Sequence, residues 1–252
     1  MTTEEKEPGI RTGRDGANDG RDDGIVGAVE TAIRYPTESD DVAMIVVIGG
    51  LLSLFSFLVV PIFLLSGYLV RVLDRTADGD DVPPAFEEWG ELAITGVKAA
   101  VIGFVYALLP AIVGGGVVLL GGVGIGLGGD GPLAGIGVLG VILGGLLWGG
   151  LALLVSYLLP AALANFARTE SIGAGFDFGT LSTIWTSRPY ALAWVTMILV
   201  FLIGGLVVGV LNVVPILGTI AGAFVGFYFA VAAYSVIGRA WADFPVAAHD
   251  GR

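Results

Sequence analysis

Residues 67–98 read GYLVRVLDRTADGDDVPPAFEEWGELAITGVK, the longest charged interruption between two long apolar runs. Arg71 and Arg75 sit just after the first run, and Lys98 just before the second. Between them come an acidic turn over residues 74–81, the pair Pro83-Pro84 and a short amphipathic patch. The prolines stop any helix, because each removes an N–H and its ring clashes with the preceding turn. Phe86, Trp89, Leu92 and Ala93 then make one stripe, with Glu87, Glu88 and Glu91 off it. Trp favours the level of lipid headgroups, so this patch reads as an interfacial helix and Tyr68, Phe86 and Trp89 as interface anchors. A chain that alternates in this way is built to lie in and across a bilayer, with this segment at one face.

Composition agrees. Apolar residues make up 55% of the 252-residue chain and charged residues 14%, against roughly a quarter charged in soluble domains. From Ala99 to Ala167 the only formal charge is Asp130. A soluble fold of this size cannot hide so much apolar surface. The net charge of −11, with lysine only at Lys6 and Lys98, suggests a high-salt cytoplasm that screens repulsion between acids. No basic stripe is present to neutralise phosphates, so nucleic acid is excluded as a partner. Cysteine is absent, which removes disulfides, thiol nucleophiles and thiolate metal sites.

Three regions follow: a disordered acidic tail over residues 1–23, a helical transmembrane domain over 24–240 and a polar tail over 241–252. The first tail has no apolar segment directly after its charges and does not read as a signal peptide. Residues 24–34 place Ile25, Val26, Val29 and Ile33 at helical spacing, as in an amphipathic helix lying on the membrane face or packed on neighbouring loops. Residues 42–73 are long enough for more than one crossing and contain Pro61. They read either as one long kinked helix or as a tight hairpin entering and leaving by the same face. Further spans are expected over residues 95–120, 133–166, 190–211 and 219–238. The Gly-rich segment 121–131 is expected to be a short loop outside the membrane. Its last six residues fit G-x-G-x-x-G, but no strand precedes them and glycine is dense, so a phosphate-binding role is not supported. The fold class is therefore an all-α, polytopic helical bundle of five long apolar segments, making five or six passes, with interfacial amphipathic helices.

Cations set the orientation. The short loops near residues 121–132 and 212–218 hold no Lys or Arg, whereas the interruptions over 71–98 and 168–188 hold Arg71, Arg75, Lys98, Arg168 and Arg188. Those interruptions and the C-terminus are expected at the cytoplasmic face of the cell membrane. The second interruption repeats the first in outline, with Phe176, Phe178, Leu181, Ile184 and Trp185 as its aromatic patch. This suggests a degenerate internal duplication, roughly residues 53–109 against 151–203. Small residues let helix backbones approach in lipid. Gly140 and Gly144, Gly145 and Gly149, Gly205 and Gly209, and Gly218, Gly222 and Gly226 all fit G-x-x-x-G, which suits packing within the chain or a homo-oligomer seam.

Little chemistry is visible. His249, the only histidine, lies in the C-terminal tail, and no G-x-S-x-G or H-E-x-x-H pattern occurs. No catalytic residue, cofactor or metal site is expected, and membrane lipid is the expected partner. No ionisable group lies near a span midpoint, which lowers the odds of a proton-coupled carrier. The segments RYPTESDDVAMIVVIGG, FLVVPIFLLSGYLVRVLDRTADGDDVPPAFEEWGELAITGVKA and YALLP resemble the domain of unknown function 4013 family. G-Y-L-V-R, the acidic turn, P-P-A-F and E-E-W-G-E-L are the most specific parts. The resemblance implies a small integral membrane protein of a type common in haloarchaea, and it brings no catalytic residues. Three roles stay open: a non-enzymatic membrane component packed through Gly-rich helix faces, a permease or channel for a small neutral or lipid-like solute, and, last, a membrane enzyme. Glu87, Glu91, Arg71 and Arg168 gathered around a pocket at the cytoplasmic face would bring the enzyme back.

Overall fold

In the computed structural model, residues 24–242 and Phe244 are described; the tail over 1–23 and most of the C-terminal tail fall outside them. Among the described residues every regular element is helical. In chain order these are α1 (Ile25–Arg34), α2 (Val42–Leu54), α3 (Val59–Ala77), α4 (Trp89–Gly128), α5 (Pro132–Thr169), α6 (Phe178–Trp185), α7 (Arg188–Leu211) and α8 (Pro215–Ala242), with 3₁₀ turns at Tyr35–Thr37 and Ile172–Phe176. Four helices, α4, α5, α7 and α8, are long and apolar enough to cross a membrane; α2 is apolar but shorter.

The apolar run over residues 42–73 is broken rather than kinked. Ser56 N–H donates to the Ser53 carbonyl and Leu58 N–H to the Phe55 carbonyl, closing turns where the helix stops. Leu58 is extended, and Pro61 then falls in the first turn of α3, where its missing N–H costs no helical hydrogen bond. The contacts give the sense of the pair. The segment leading into α2 places Tyr35 under the Arg239 guanidinium, near the end of α8. Farther along, Gly50 meets Phe224, earlier in α8. In α3, Tyr68 meets Phe227 and Thr76 meets Gly238. Thus α2 runs antiparallel to α8 and α3 parallel to it, so α2 and α3 form a helical hairpin.

Two other expectations are corrected. The Gly-rich segment is not a loop: Gly121–Gly128 complete α4, and the turn is only Gly129-Asp130-Gly131, with Gly129 at φ 52°. Glycine weakens helices in water, but away from water an unpaired backbone is costlier still. Here the glycines also let α4 and α5 touch. A Cβ on Gly121 would meet Val141 N at 2.6 Å and Gly137 O at 2.7 Å, and one on Gly144 would meet Val118 N at 2.7 Å. Among residues 111–150 the buried positions are Gly114, Gly121, Gly137 and Gly144. That is one glycine per heptad on each helix, the spacing that keeps a seam facing its partner. Nor is there a separate interfacial helix over residues 86–93, because Trp89 onward forms the first turns of α4. At the far end, α7 and α8 are joined by only Asn212, Val213 and Val214.

Large apolar side chains cover the outside of the bundle. Phe57, Leu127, Val213 and Ile216 are each more than three-quarters exposed. Buried apolar clusters hold the other end. One joins Tyr35, Ile45, Tyr68, Val72, Phe86, Leu92, Phe227 and Val231; a larger one ties α3, α4 and α5 to α6, α7 and α8. Between these clusters and solvent lies a cap of charged side chains.

Candidate functional site

The cap is assembled where α3 and α5 end and α4 begins. α3 and α4 approach backbone to backbone: a Cβ on Gly96 would overlap the Phe63 carbonyl, and one on Gly67 the Leu92 carbonyl. This closeness brings the acidic loop back over the start of α4. Tyr68, fully buried, donates its hydroxyl to the Pro84 carbonyl at 3.0 Å and stacks on Phe86 at 4.1 Å between centroids. Phe86 in turn lies 5.7 Å from the Trp89 ring. The Pro-Pro break thus packs on α3 through aromatic faces.

Ion pairs lace the cap together. Arg71, mostly shielded, donates to the Glu87 carbonyl at 3.1 Å and pairs with Glu88 at 3.3 Å and Glu91 at 3.8 Å. Arg168, at the end of α5, reaches across to Asp74 at 3.3 Å and Asp78 at 2.5 Å. Arg75 pairs with Asp80 and Arg239 with Asp81, at 2.8 and 3.2 Å. The Arg239 guanidinium also lies 5.1 Å above the Tyr35 ring, and burial pushes the Tyr35 hydroxyl well above its ordinary pKa, so it stays protonated. Exposed pairs of this kind contribute at most about 1 kcal/mol each, although a network fixes geometry better than isolated pairs do.

Within this frame lies a cleft of about 290 Å³, lined by Arg71, Asp74, Glu91, Thr95, Lys98 and Glu170 and floored by Gly67, Val70, Leu92, Phe166 and Ala167. Glu91, Thr95 and Lys98 fall on one face of α4, at i, i+4 and i+7. Lys98 Nζ points to the Glu170 carbonyl at 3.4 Å. Two residues of the cap, Glu88 at the start of α4 and Glu170 at the end of α5, have φ of 54° and 55°. A side chain in this left-handed region costs roughly 1 kcal/mol or more, and such residues gather at functional sites. A second, mostly apolar cavity of about 180 Å³ lies beneath, between α3, α4, α5 and α8, and shares Val70 with the first.

Six of the eight interface candidates thus fall together around the cleft and its aromatic support: Tyr68, Arg71, Phe86, Trp89, Lys98 and Arg168. Arg75 lies outward in the last turn of α3, which runs through Ala77, so residues 74–77 of the expected acidic turn are helical. Trp185 belongs to a different group, accepting from the Tyr157 hydroxyl and donating its indole N–H to the Leu158 carbonyl at 3.3 Å. Asp74, Thr95 and Glu170 also line the cleft but are not among the sequence candidates; only the i, i+3 relation of Arg71 to Asp74 and the i, i+4, i+7 face of α4 point to the first two. Of the four charges whose gathering around a pocket would favour an enzyme, only Arg71 and Glu91 line the cleft; Arg168 lies outside the lining on Asp74 and Asp78, and Glu87 gives Arg71 only its carbonyl. Among the described residues no three Asp, Glu, His or Cys side chains are grouped to hold a metal ion.

The glycine candidates divide by surroundings. Gly140 and Gly144 pack on α4, Gly218 on the α7–α8 turn and Gly222 on Val208, whereas Gly145, Gly149, Gly205, Gly209 and Gly226 have open space where a Cβ would stand.

A family model described as "Protein of unknown function (DUF4013)" matches residues 50–213. The chain belongs to the DUF4013 family. The DUF4013 match begins near the end of α2 and stops just past α7, so it contains every residue of the charged cleft. The helices α1 and α8 lie outside it. No curated protein and no solved structure matches the chain.

Proposed function

We propose that this DUF4013 chain is a polytopic integral protein of the cell membrane with a non-catalytic role, its charged cap facing the cytoplasm. In this reading α4, α5, α7 and α8 cross the bilayer. The α2–α3 hairpin enters and leaves by the cytoplasmic side; α2, at 13 residues, is about 20 Å long, short of the ~30 Å hydrocarbon layer. Even the long helices carry a consequence, since 40 residues in α4 amount to about 60 Å and demand strong tilt or projection from the membrane. The acidic cap suits a cytoplasm rich in salt.

One observation carries the non-catalytic reading. The hydroxyls of Ser66, Ser156, Thr196, Thr219 and Ser235 each donate to a carbonyl three or four residues back in their own helix. They close on local backbone rather than converging on a reacting atom. The test is extraction of membranes at alkaline pH, followed by reconstitution of the purified chain. We expect it to stay with the bilayer and to leave vesicle permeability to small neutral solutes unchanged. Release at alkaline pH would refute membrane integration.

The alternative, a permease or channel for a small neutral or lipid-like solute, draws on the two cavities that share Val70 in their linings. Solute-specific swelling of proteoliposomes, slowed by Val70→Trp, would favour it.

A further inference from the structure

The cleft holds two charges that the rest of the cap leaves unmatched. Arg71 is committed to Glu88 and Glu91, and Arg168 to Asp74 and Asp78. Lys98, on α4, has the Glu170 carbonyl as its hydrogen-bond acceptor at 3.4 Å, at the long end for an ammonium that carries three donors. Among the described residues no carboxylate lies within 4.0 Å of Lys98, and no cation within 4.0 Å of the Glu170 carboxylate. The two residues line one cavity from α4 and from the end of α5 without pairing with each other. A ligand of single charge would match one and leave the other. A ligand with both charges, a few ångströms apart, matches both.

We propose that this cleft takes the headgroup of one membrane phospholipid bearing a primary ammonium beside its phosphate, with Lys98 on the phosphate and Glu170 on the ammonium. The proposal rests on the reading that the long helices lie in a bilayer. Position supports it. Lys98 stands nine residues past Trp89 on α4, about 13 Å along the helix, and reaches back toward the charged face as amphipathic lysines do at membrane interfaces. Thr95, one turn earlier on the same face, adds a hydroxyl to the phosphate side.

Size agrees as well. At about 290 Å³ the cleft falls at the low end of ligand sites, room for a headgroup and not for acyl chains. Ile94 forms a lip of the cleft and is 61% exposed, and Val97, Val101 and Phe104 continue an exposed apolar face below it. The acyl chains would lie along that face. The choice of a primary ammonium follows from the lining. A quaternary ammonium is recognised by a cage of aromatic faces, whereas Phe166 is the one aromatic residue in this lining and carboxylates supply hydrogen-bond acceptors instead.

The test is native mass spectrometry of the full chain, purified in a detergent free of phospholipid. It is offered equal amounts of phosphatidylethanolamine, phosphatidylcholine and phosphatidylglycerol. We expect retention of one phosphatidylethanolamine, favoured about fivefold or more over the other two. Lys98→Gln and Glu170→Gln should each abolish that preference, Lys98→Arg should keep it, and Arg188→Gln, away from the cleft lining, should leave it unchanged. Helix content and melting temperature of each variant show that it is folded. Equal retention of the three lipids, a preference for phosphatidylglycerol, or an unchanged preference in both folded glutamine variants would overturn the proposal. So would complete displacement of the lipid by millimolar inorganic phosphate, which would assign the site to a soluble anion. The alkaline extraction described above separates the two failures. A chain that remains in the membrane yet shows no lipid preference refutes this inference alone.

Discussion

The contact of α3 with α4 beneath the cleft gives the sharpest test of the packing. Gly96 and Gly67 face each other's helices so closely that a Cβ on either would overlap a main-chain carbonyl, that of Phe63 or of Leu92. Neither carbonyl can rotate away, because each belongs to helical backbone. Gly96→Ala must therefore push the helices apart by about 1 Å, which takes Cβ out of overlap but opens the packing along the whole contact. Overpacking of this kind costs typically 1–3 kcal/mol, and with rigid backbone on the far side we place Gly96→Ala at about 3 kcal/mol. For a chain of this size that corresponds to a fall in melting temperature of roughly 10 °C. Gly103, two turns farther along α4, has open space where its Cβ would stand. Gly103→Ala should be neutral or stabilising by up to about 1 kcal/mol through helix propensity. The assay is thermal unfolding in detergent, followed by tryptophan fluorescence, with both variants compared to the parent. If Gly96→Ala melts with the parent, or if both alanines shift the midpoint equally, the close approach of α3 and α4 is wrong.

The α4–α5 seam makes a parallel prediction. Gly121→Ala and Gly137→Ala should each lower the melting temperature by several degrees, at about 1–3 kcal/mol, while Gly122→Ala and Gly135→Ala, which face open space, should not; proteolysis near Asp130 would rise only in the first pair. Asp177 caps α6, and the Thr180 hydroxyl together with the Thr180 and Gly179 N–H groups holds its carboxyl below the ordinary pKa. Because the folded value is the lower one, the cap's contribution is complete above the unfolded pKa of about 3.9 and disappears as pH falls through the folded value. The difference in melting temperature between the parent and Asp177→Ala should be constant from about pH 5 to pH 8 and shrink below about pH 4; a gap that widens on acidification would contradict this.

Much of the fold was legible because apolar length and the placement of charge are properties of sequence alone. The turn within segment 67–98, the long apolar helices α5, α7 and α8 and the helix break that holds Pro83-Pro84 all follow from them. What was not legible depended on partners. Whether residues 42–73 kink or turn back is decided by Ser53, Ser56 and Pro61 together with the surface of α8 that receives Ile45, Gly49 and Gly50. The glycines over 121–128 read as a loop in sequence because glycine is a poor helix former in water, yet they are what α5 needs for contact. The G-x-x-x-G pattern was too permissive to separate glycines that touch a helix from those that face outward, such as Gly145 and Gly209. For the site, Arg71, Lys98 and Arg168 stood out as isolated cations. Glu170 carried no local signal, since its role comes from lying at the end of α5 opposite α4, some seventy positions away from Lys98.

In a bilayer-embedded bundle whose charged cap forms one face, α2 and α3 turn back to that face. Single cysteines at Ser39, Gly79 and Glu170, and others at Asp130 and Val213, would be labelled in intact cells and in inverted vesicles with a reagent that cannot cross lipid. We expect Ser39, Gly79 and Glu170 to react only from the cytoplasmic side, and Asp130 and Val213 only from the other. Labelling of Ser39 and Gly79 from opposite sides would contradict the hairpin, and with it the single charged face.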